Sequence, residues 1–448
     1  MKRFFIETWG CQMNLHDSER LSTELRALGM EPAATAGHAD LILLNTCSVR
    51  EKPAEKIFAY LGRLKPVKQK NPDVRIGVCG CVGQQEREKI FRRSPLVDFV
   101  LGPGAISRIA HVVRELDAGA RELVECGTYP VSELNPERQT GVGAYVVIME
   151  GCNNFCSFCV VPYTRGRERS RPHSQILSEV ERLLALGVKE IELLGQNVNS
   201  YRDGDVGFSQ LLGFLDAMPG LLRLRFTTSH PKDFEQDIID AMRDLESVCP
   251  HIHLPVQSGS DPILASMNRK YTRLDYLDRI RRLKEAIPEI AITSDIIVGF
   301  PGESEEDHRQ TMSLLEEVAY DAIYSFKYSP RPQTKAERLE DDVPPEVKQR
   351  RLKEVQELQT ALQTRKNSSF VGKTLQVLVV GRSKRHPDEF TGRSECHRVV
   401  NFSSGTDCLH RLVDVEITRS HPNSLYGEII EVKRDESCGD SKKYHLQT

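Results

Sequence analysis

Three cysteines fall within a single short run, Gly151-Cys152-Asn153-Asn154-Phe155-Cys156-Ser157-Phe158-Cys159. Thiolates so close together can grip three irons of a 4Fe-4S cluster and leave the fourth iron without a protein ligand, open to a small molecule. A structural zinc site normally pairs CxxC with a fourth ligand nearby; buried free thiols are the remaining reading. A second set is dispersed. Cys11, Cys47 and Cys81 each follow a stretch that reads as a strand. In a parallel sheet all three emerge at the same C-terminal edge, where open α/β folds bind ligands, so a second cluster is expected there. The alternative is that small buried thiols happen to occupy strand ends. Cys79 lies two residues from Cys81, and strand alternation does not say which of them is the ligand. Cys126, Cys249, Cys396, Cys408 and Cys438 show no ligand spacing and read as free thiols.

These cysteines need elements to hold them. Apolar periodicity over the first 117 residues predicts strands at 3–8, 40–45, 74–78 and 97–101. They alternate with helices at 17–28, 52–64, 84–91 and 106–116, which together make an open parallel α/β sheet. Residues 127–142 are rich in Pro, Gly and polar side chains without periodicity and read as a linker. From about 138 to 368 a second series predicts strands at 144–149, 190–194, 222–227, 251–256, 291–298 and 322–328. These six βα units would form a partial (β/α)6 barrel with its chemistry at the C-terminal strand ends. Pro344-Pro345 opens a charged helix bearing Leu352, Val355, Leu358 and Leu362. Residues 369–434 then change to short strands at 374–380, 396–402, 412–417 and 424–432, a small antiparallel β-barrel. The fold class is therefore α/β with an all-β C-terminal module.

Composition narrows the function. A hydrophobic content of 39% and a charged content of 28% are those of a globular chain, and no apolar run approaches the ~18 residues of a spanning helix, so no membrane role is expected. The 12 cysteines lack the even spacing of a disulfide scaffold, and the N-terminus carries no signal-peptide pattern, so the expectation is a cytoplasmic protein with reduced thiols. A net charge of −3 excludes nucleic-acid binding through bulk positive charge but leaves room for a local basic site.

The cysteine loop, Glu192-Leu193-Leu194-Gly195-Gln196-Asn197, Pro255-Val256-Gln257-Ser258-Gly259-Ser260 and Gly299-Phe300-Pro301-Gly302-Glu303 together resemble the radical S-adenosylmethionine methylthiotransferases over nearly the whole chain. Thr8-Trp9-Gly10-Cys11-Gln12-Met13-Asn14, Asn45-Thr46-Cys47-Ser48-Val49-Arg50-Glu51-Lys52 and Val160-Val161-Pro162-Tyr163-Thr164-Arg165-Gly166 are similar to the bacterial branch that acts on isopentenyl-adenosine in tRNA. That branch methylthiolates carbon 2 of N6-isopentenyl-adenosine at position 37, beside the anticodon. The resemblance implies an enzyme with two 4Fe-4S clusters. Cys152, Cys156 and Cys159 would hold the one that binds and cleaves S-adenosylmethionine, and Cys11, Cys47 and Cys81 the one that carries sulfur. The family's Gly-Cys-Val run matches Gly80-Cys81-Val82, which favours Cys81 over Cys79. Unactivated adenine carbon 2 calls for radical chemistry, which the cofactor supplies.

Gln196, Asn197, Ser229, His230, Gln257, Ser258 and Asp295 are the polar strand-end candidates to hold S-adenosylmethionine, with ordinary barrel-mouth hydrogen bonding as their alternative. Four arginines, Arg165, Arg167, Arg169 and Arg171, follow the cluster loop and suit phosphate. The last module resembles a TRAM domain, an RNA-binding fold, with Arg382, Lys384, Arg385, Arg393 and Arg398 as its basic residues. The expected partners are tRNA bearing isopentenyl-adenosine, an electron donor such as flavodoxin or ferredoxin, and a sulfur donor, and the chain is expected to be a monomer. Relatives acting on threonylcarbamoyl-adenosine in tRNA or on a ribosomal-protein aspartate keep the chemistry and change the substrate. The latter typically read Gly-Cys-Pro-Lys-Asn where this chain has Gly10-Cys11-Gln12-Met13-Asn14. A noncatalytic iron-sulfur RNA-binding protein is the reading from another class, and it would have no use for an open iron.

Overall fold

The structure, a computed structural model, describes residues 1–48, 51–129, 141–383 and 386–432. Lys384, Arg385, Cys438 and most of the expected linker lie outside the described residues. The first unit is a six-stranded parallel sheet in the order β2-β1-β3-β4-β5-β6. Its strands are β1 (Arg3–Trp9), β2 (Glu31–Pro32), β3 (Leu41–Thr46), β4 (Arg75–Cys79), β5 (Phe99–Leu101) and β6 (Leu123–Glu125). Central β3 is buried along its whole length, as a parallel strand covered on both faces must be. The edge strands β2 and β6 are too short to show a period.

Helix α1 (Gln12–Ala27) buries Leu21 and Leu25. It stops at Gly29 (φ +78°), where the Gly29 amide donates to the Arg26 carbonyl and the Met30 amide to that of Leu25, the bond pattern of a left-handed glycine cap. With α5 (Ile109–Asp117) it covers one face of the sheet; α2 (Glu51–Lys70), α3 (Gly80–Glu86) and α4 (Lys89–Arg93) cover the other. The single helix expected over 84–91 is instead the pair α3 and α4, divided at Arg87, whose φ is +47°.

The second unit carries six principal strands, as the periodicity predicts. Parallel β7 (Gly143–Val147), β10 (Glu190–Leu194) and β13 (Arg223–Phe226) form one sheet, and β14 (His251–His253), β15 (Ala291–Val298) and β16 (Ala322–Lys327) the other. Between the two sheets, among the described residues, only Val248 bridges to Leu224. The ladder lapses just before β14, where Pro250 has no N–H to offer. Helices α7 (His173–Ala185), α8 (Phe208–Asp216), α9 (Gln236–Asp244), α11 (Arg273–Ala286) and α12 (Glu305–Val318) pack outside the strands over one continuous apolar core. Shorter pieces sit at the mouth: β8 (Met149–Glu150) pairs with β9 (Arg169–Ser170), β11 (Arg202–Asp203) with β12 (Val206–Gly207), and α6 (Val161–Thr164) and α10 (Asp261–Ser266) complete the set.

Helix α13 (Pro345–Ser368) leads to a closed barrel in the order β17-β18-β19-β21-β20, made of β17 (Thr374–Arg382), β18 (Glu389–Ser394), β19 (Val399–Ser403), β20 (Leu412–His421) and β21 (Ser424–Val432). It differs from the expectation in two ways: β18 is an extra strand, and β19 pairs with β21 in parallel. Strand β18 offers little to see, since Glu389-Phe390-Thr391-Gly392-Arg393-Ser394 carries a single bulky apolar residue. Gly392 is required there, because a Cβ would lie 2.5 Å from the Leu378 carbonyl.

The outer units dock at opposite ends of the central one. The first sheet meets the C-terminal strand ends through Met13, which packs with Val147 and Leu194, and through the Arg20–Glu150 pair at 3.3 Å. The β-barrel meets the N-terminal strand ends. There Arg223 donates to the carbonyls of Arg393 (2.6 Å) and Gln376 (3.0 Å), Arg225 donates to those of Glu395 (2.7 Å) and Ser394 (2.8 Å), and His251 stacks on His397. Arg398 is held by Asp321 and Asn367 in the same seam rather than displayed as a basic surface residue. Among the described residues no helix is long and apolar enough to cross a membrane.

Candidate active site

The loop after β8 crosses the segment after α6. Gly151 has φ +79°, and a Cβ there would collide with the Arg167 carbonyl, so only glycine fits the crossing. The Gly151 amide donates to Gln196 Oε1 (2.5 Å) and the Cys152 amide to the Gly166 carbonyl (3.2 Å). On the far side the loop is pinned to the end of α10: Ser157 donates through its amide to Met267 O (2.9 Å) and through its hydroxyl to Ser266 O (2.8 Å), and Asn268 Nδ2 donates to Phe155 O (2.9 Å).

The three loop thiols lie within one another's electrostatic reach, and donors converge on them. Cys156 is buried, with Arg269 Nη1 donating to its sulfur at 3.3 Å and His230 Nε2 at 3.9 Å. His230 Nδ1 accepts from the Lys232 amide (3.2 Å), which leaves the ring proton on Nε2, aimed at the sulfur. Burial, reinforced by Arg269, drives the His230 pKa down, so the ring is a neutral donor. Burial pushes the Cys152 thiol up to about 11 and the Cys159 thiol up to about 12, against backbone N–H groups of Asn154 and Val161 that favour the anions. Such thiols ionise when a metal supplies the missing charge. The donor set therefore fits a thiolate-bound cluster. Among the described residues no three His, Cys, Asp or Glu side chains are spaced for a single ion, and thiolates on different irons of a cluster stand further apart than the ligands of one ion.

Of the polar candidates, Asn197 and His230 lie together beside this loop, with the His230 amide donating to Asn197 Oδ1 (3.0 Å) and Asn199 Oδ1 (2.9 Å). Gln196 holds Gly151. Among the described residues the buried Ser229 hydroxyl has no partner, and Asp295 faces His253 at 3.6 Å. Gln257 has φ +74° and bridges to Ile296 through its backbone. Ser258 requires a correction: it is fully buried, with its hydroxyl on Thr311 (3.3 Å), and faces α12 rather than the mouth.

The second cysteine set assembles at the sheet edge. Cys11 caps α1, Cys47 follows β3 and Cys81 lies in the first turn of α3. Gly10 (φ +142°) leaves room where a Cβ would stand 2.6 Å from that of Cys47, and Gly80 (φ +82°) leaves room against Asn45 and the Thr46 carbonyl. Asn45 ties the strand ends, donating to Asn14 O and Ser18 Oγ, both at 2.8 Å. The Cys47 hydrogen bond, with Arg165 helping against partial burial, brings the Cys11 thiol down to about 6. Cys79 points the other way, into the α1/α5 core with Phe4, Leu21 and Phe99, and burial raises its thiol far above the usual range. The turn at Gly80 separates the two cysteines that strand alternation would have left on one face.

Six residues beyond Cys159, Arg165 enters this second set. Its side chain is 5% exposed, its Nη2 lies 2.6 Å from Asp17 Oδ2, and it comes within electrostatic reach of Cys81 and Cys11 where α6 packs on α3. It is therefore not a phosphate contact. Arg171 is likewise committed, to Val147 O (2.6 Å) and Glu179 (2.8 Å). Arg167 and Arg169 do face solvent, the first over the Phe155 ring and the second on Glu150, and Arg382 lies exposed over Phe390. Sequence reasoning missed Arg269 and Asp17. Nothing local in Asn268-Arg269-Lys270 or Leu15-His16-Asp17 marks either as more than a surface charge.

A parallel sheet with three cysteines at its edge, docked on the mouth of a partial barrel of two three-stranded sheets whose loop carries three more, is the arrangement expected of a radical S-adenosylmethionine enzyme. The Radical SAM superfamily model matches residues 146–315, the Uncharacterized protein family UPF0004 model residues 3–102, and the TRAM domain model residues 368–430. The chain is 46% identical over 442 residues to the tRNA-2-methylthio-N(6)-dimethylallyladenosine synthase of Neisseria gonorrhoeae, covering 96% of this chain and 100% of that one. It is 47% identical over 440 residues to the same-named protein of Geotalea uraniireducens, covering 96% and 99%. Among solved structures, the radical S-adenosylmethionine methyltransferase TsrM of Kitasatospora setae shares the fold, with TM-score 0.58 and 15% identity over 75% of this chain and 74% of that one. The chain belongs to the radical S-adenosylmethionine methylthiotransferase family. It is a transferase that works with S-adenosylmethionine and a 4Fe-4S cluster.

Proposed function

We propose that this enzyme methylthiolates tRNA, and that its substrate is carbon 2 of N6-isopentenyl-adenosine at position 37, with two 4Fe-4S clusters. Cys152, Cys156 and Cys159 would hold one cluster and Cys11, Cys47 and Cys81 the other. The observation that carries the reading is the short path between the two sets: the chain leaves Cys159 and forms α6, which packs on α3, the helix bearing Cys81, and places Arg165 within its electrostatic reach. When bound, the first cluster supplies the electron that cleaves S-adenosylmethionine, and the second supplies sulfur. The chain's own part is to hold and shield. Arg269 and the neutral His230 donate hydrogen bonds to the Cys156 sulfur. Gln196, Asn197, Ser229 and Asp295 offer hydrogen-bonding groups around the mouth for S-adenosylmethionine. Gln257 joins them on position alone.

Exposed Arg167 and Arg169 beside the mouth, and Arg382 on the β-barrel, would meet tRNA phosphates. The barrel is docked at the opposite end of the strands, so a tRNA touching both would run along the flank of the central unit. An electron donor such as flavodoxin or ferredoxin, a sulfur donor, a cytoplasmic location and a monomeric state complete the proposal. Nucleoside mass spectrometry of tRNA from a deletion strain tests the substrate. Accumulated isopentenyl-adenosine lacking the methylthio group, restored by the gene, supports it. Unchanged methylthio-isopentenyl-adenosine with loss of the methylthio form of threonylcarbamoyl-adenosine would move the assignment to that base.

A further inference from the structure

Arg165 is a charged residue enclosed where the first two units meet, and its guanidinium is charged at every working pH. Its carboxylate partner, Asp17, sits on α1 with a side chain 1% exposed, and the two atoms in contact are 2.6 Å apart. Replacing such a buried pair by apolar side chains is often neutral or stabilising, so packing alone gives no reason for it. Nor is the pair closed on itself. Among the described residues Asp17 Oδ1 has no hydrogen-bond partner, while α6 packs on α3 and brings the guanidinium within the electrostatic reach of Cys81 and Cys11. The cation therefore stands between a carboxylate and thiols that would be anionic as ligands. It also hangs from α6, so the segment bearing it is continuous with the loop of Cys152, Cys156 and Cys159.

We infer that Arg165, held by Asp17, is the positioning and charge-setting residue of the second cysteine set. Its guanidinium offsets the negative charge gathered by Cys11, Cys47 and Cys81 and keeps the reduction potential of a cluster bound there from falling. This rests on the second-cluster reading given above. The two partners act in opposite senses. Without the guanidinium, the ligands lose the positive charge packed beside them, and an electron is harder to add. Without the carboxylate charge, the guanidinium acts at full strength, and an electron is easier to add. A pair that only holds two domains together would give no such opposition.

The test uses the full chain with Cys152, Cys156 and Cys159 changed to Ala, reconstituted anaerobically with iron and sulfide. Iron per chain, circular dichroism and an EPR-monitored redox titration are measured. In that background Arg165→Gln is expected to shift the midpoint potential down, Asp17→Asn to shift it up, and Arg165→Lys to stay near the parent. If Arg165→Gln fails to load iron, the near-isosteric Asp17→Asn decides: a rise supports the inference, and no rise overturns it. A folded parent that binds no iron removes the second cluster and this inference with it. Retained iron with unmoved potentials, or with both variants shifting the same way, overturns the inference alone and leaves the cluster standing.

Discussion

Arg225 joins the floor of the central unit to the C-terminal barrel, and changing it to Met isolates what that joint is worth. The side chain is 2% exposed; Nε donates to Glu190 Oε2 at 2.9 Å, and the two terminal nitrogens reach the Glu395 and Ser394 carbonyls at 2.7 and 2.8 Å. Methionine retains most of the stem's packing and removes the charge. Breaking a buried pair from one side costs about 3–5 kcal/mol, chiefly because the surviving charge is stranded, and an abandoned buried carbonyl costs about 1–3 kcal/mol. The costs do not simply add, because the barrel can undock and let water reach all three groups, so the free energy of docking sets the ceiling. The expected phenotype is separation before unfolding. In urea the β-barrel transition should move to lower concentration by the equivalent of about 3 kcal/mol, with new proteolytic cleavage near residues 369–373. Adding Glu190→Leu should recover at least about 1 kcal/mol, since it removes the stranded carboxylate. A midpoint within about 0.5 kcal/mol of the parent, the range of an ordinary surface change, together with an unaltered cleavage pattern, would refute the reasoning.

Three shorter expectations follow from the site. Cys79→Ala should keep its iron and lose about 1 kcal/mol of stability as one core sulfur is deleted, whereas Cys81→Ala should lose the iron that survives in the chain lacking Cys152, Cys156 and Cys159; the reverse pattern would hand the ligand role to Cys79. In the iron-free protein, a thiol lowered to about 6 is mostly thiolate at neutral pH, so iodoacetamide should label Cys11 first with a midpoint near that pH. Cys152 and Cys159, raised to about 11 and 12, should label only in alkali, as read by peptide mass spectrometry. Arg167→Gln with Arg169→Gln should weaken tRNA binding and lower the salt slope by about one per lost phosphate contact, with iron content unchanged. An unchanged slope would remove these two residues from the tRNA interface.

What could be read in advance was what the chain writes locally. Cys152, Cys156 and Cys159 share one loop, so their spacing alone brings them together. Cys11, Cys47 and Cys81 are far apart in sequence, yet parallel strands deliver their ends to one edge, and the periodicity that reveals the strands reveals the meeting point. Cys79 against Cys81 was not legible from alternation, because the left-handed backbone at Gly80 cancels it. The charged residues escaped for a different reason. Arg165 reaches a partner 148 positions away, Arg269 a sulfur 113 away and Arg225 a carbonyl 170 away. In sequence each looks like an ordinary solvated arginine, and burial changes its meaning only after whole units have docked. The same cause explains why Arg165 looks, in sequence, like a phosphate contact. An arginine run beside a mouth and an arginine buried under a neighbouring sheet differ only in what packs on top of them. Charge buried at a domain junction is therefore where sequence reading is weakest. In this enzyme both outer units meet the central one through such charge, at Arg165–Asp17 and where Arg225, held by Glu190, donates to the Glu395 and Ser394 carbonyls. The geometry of the site accordingly depends on contacts between units more than on any one unit's own pattern.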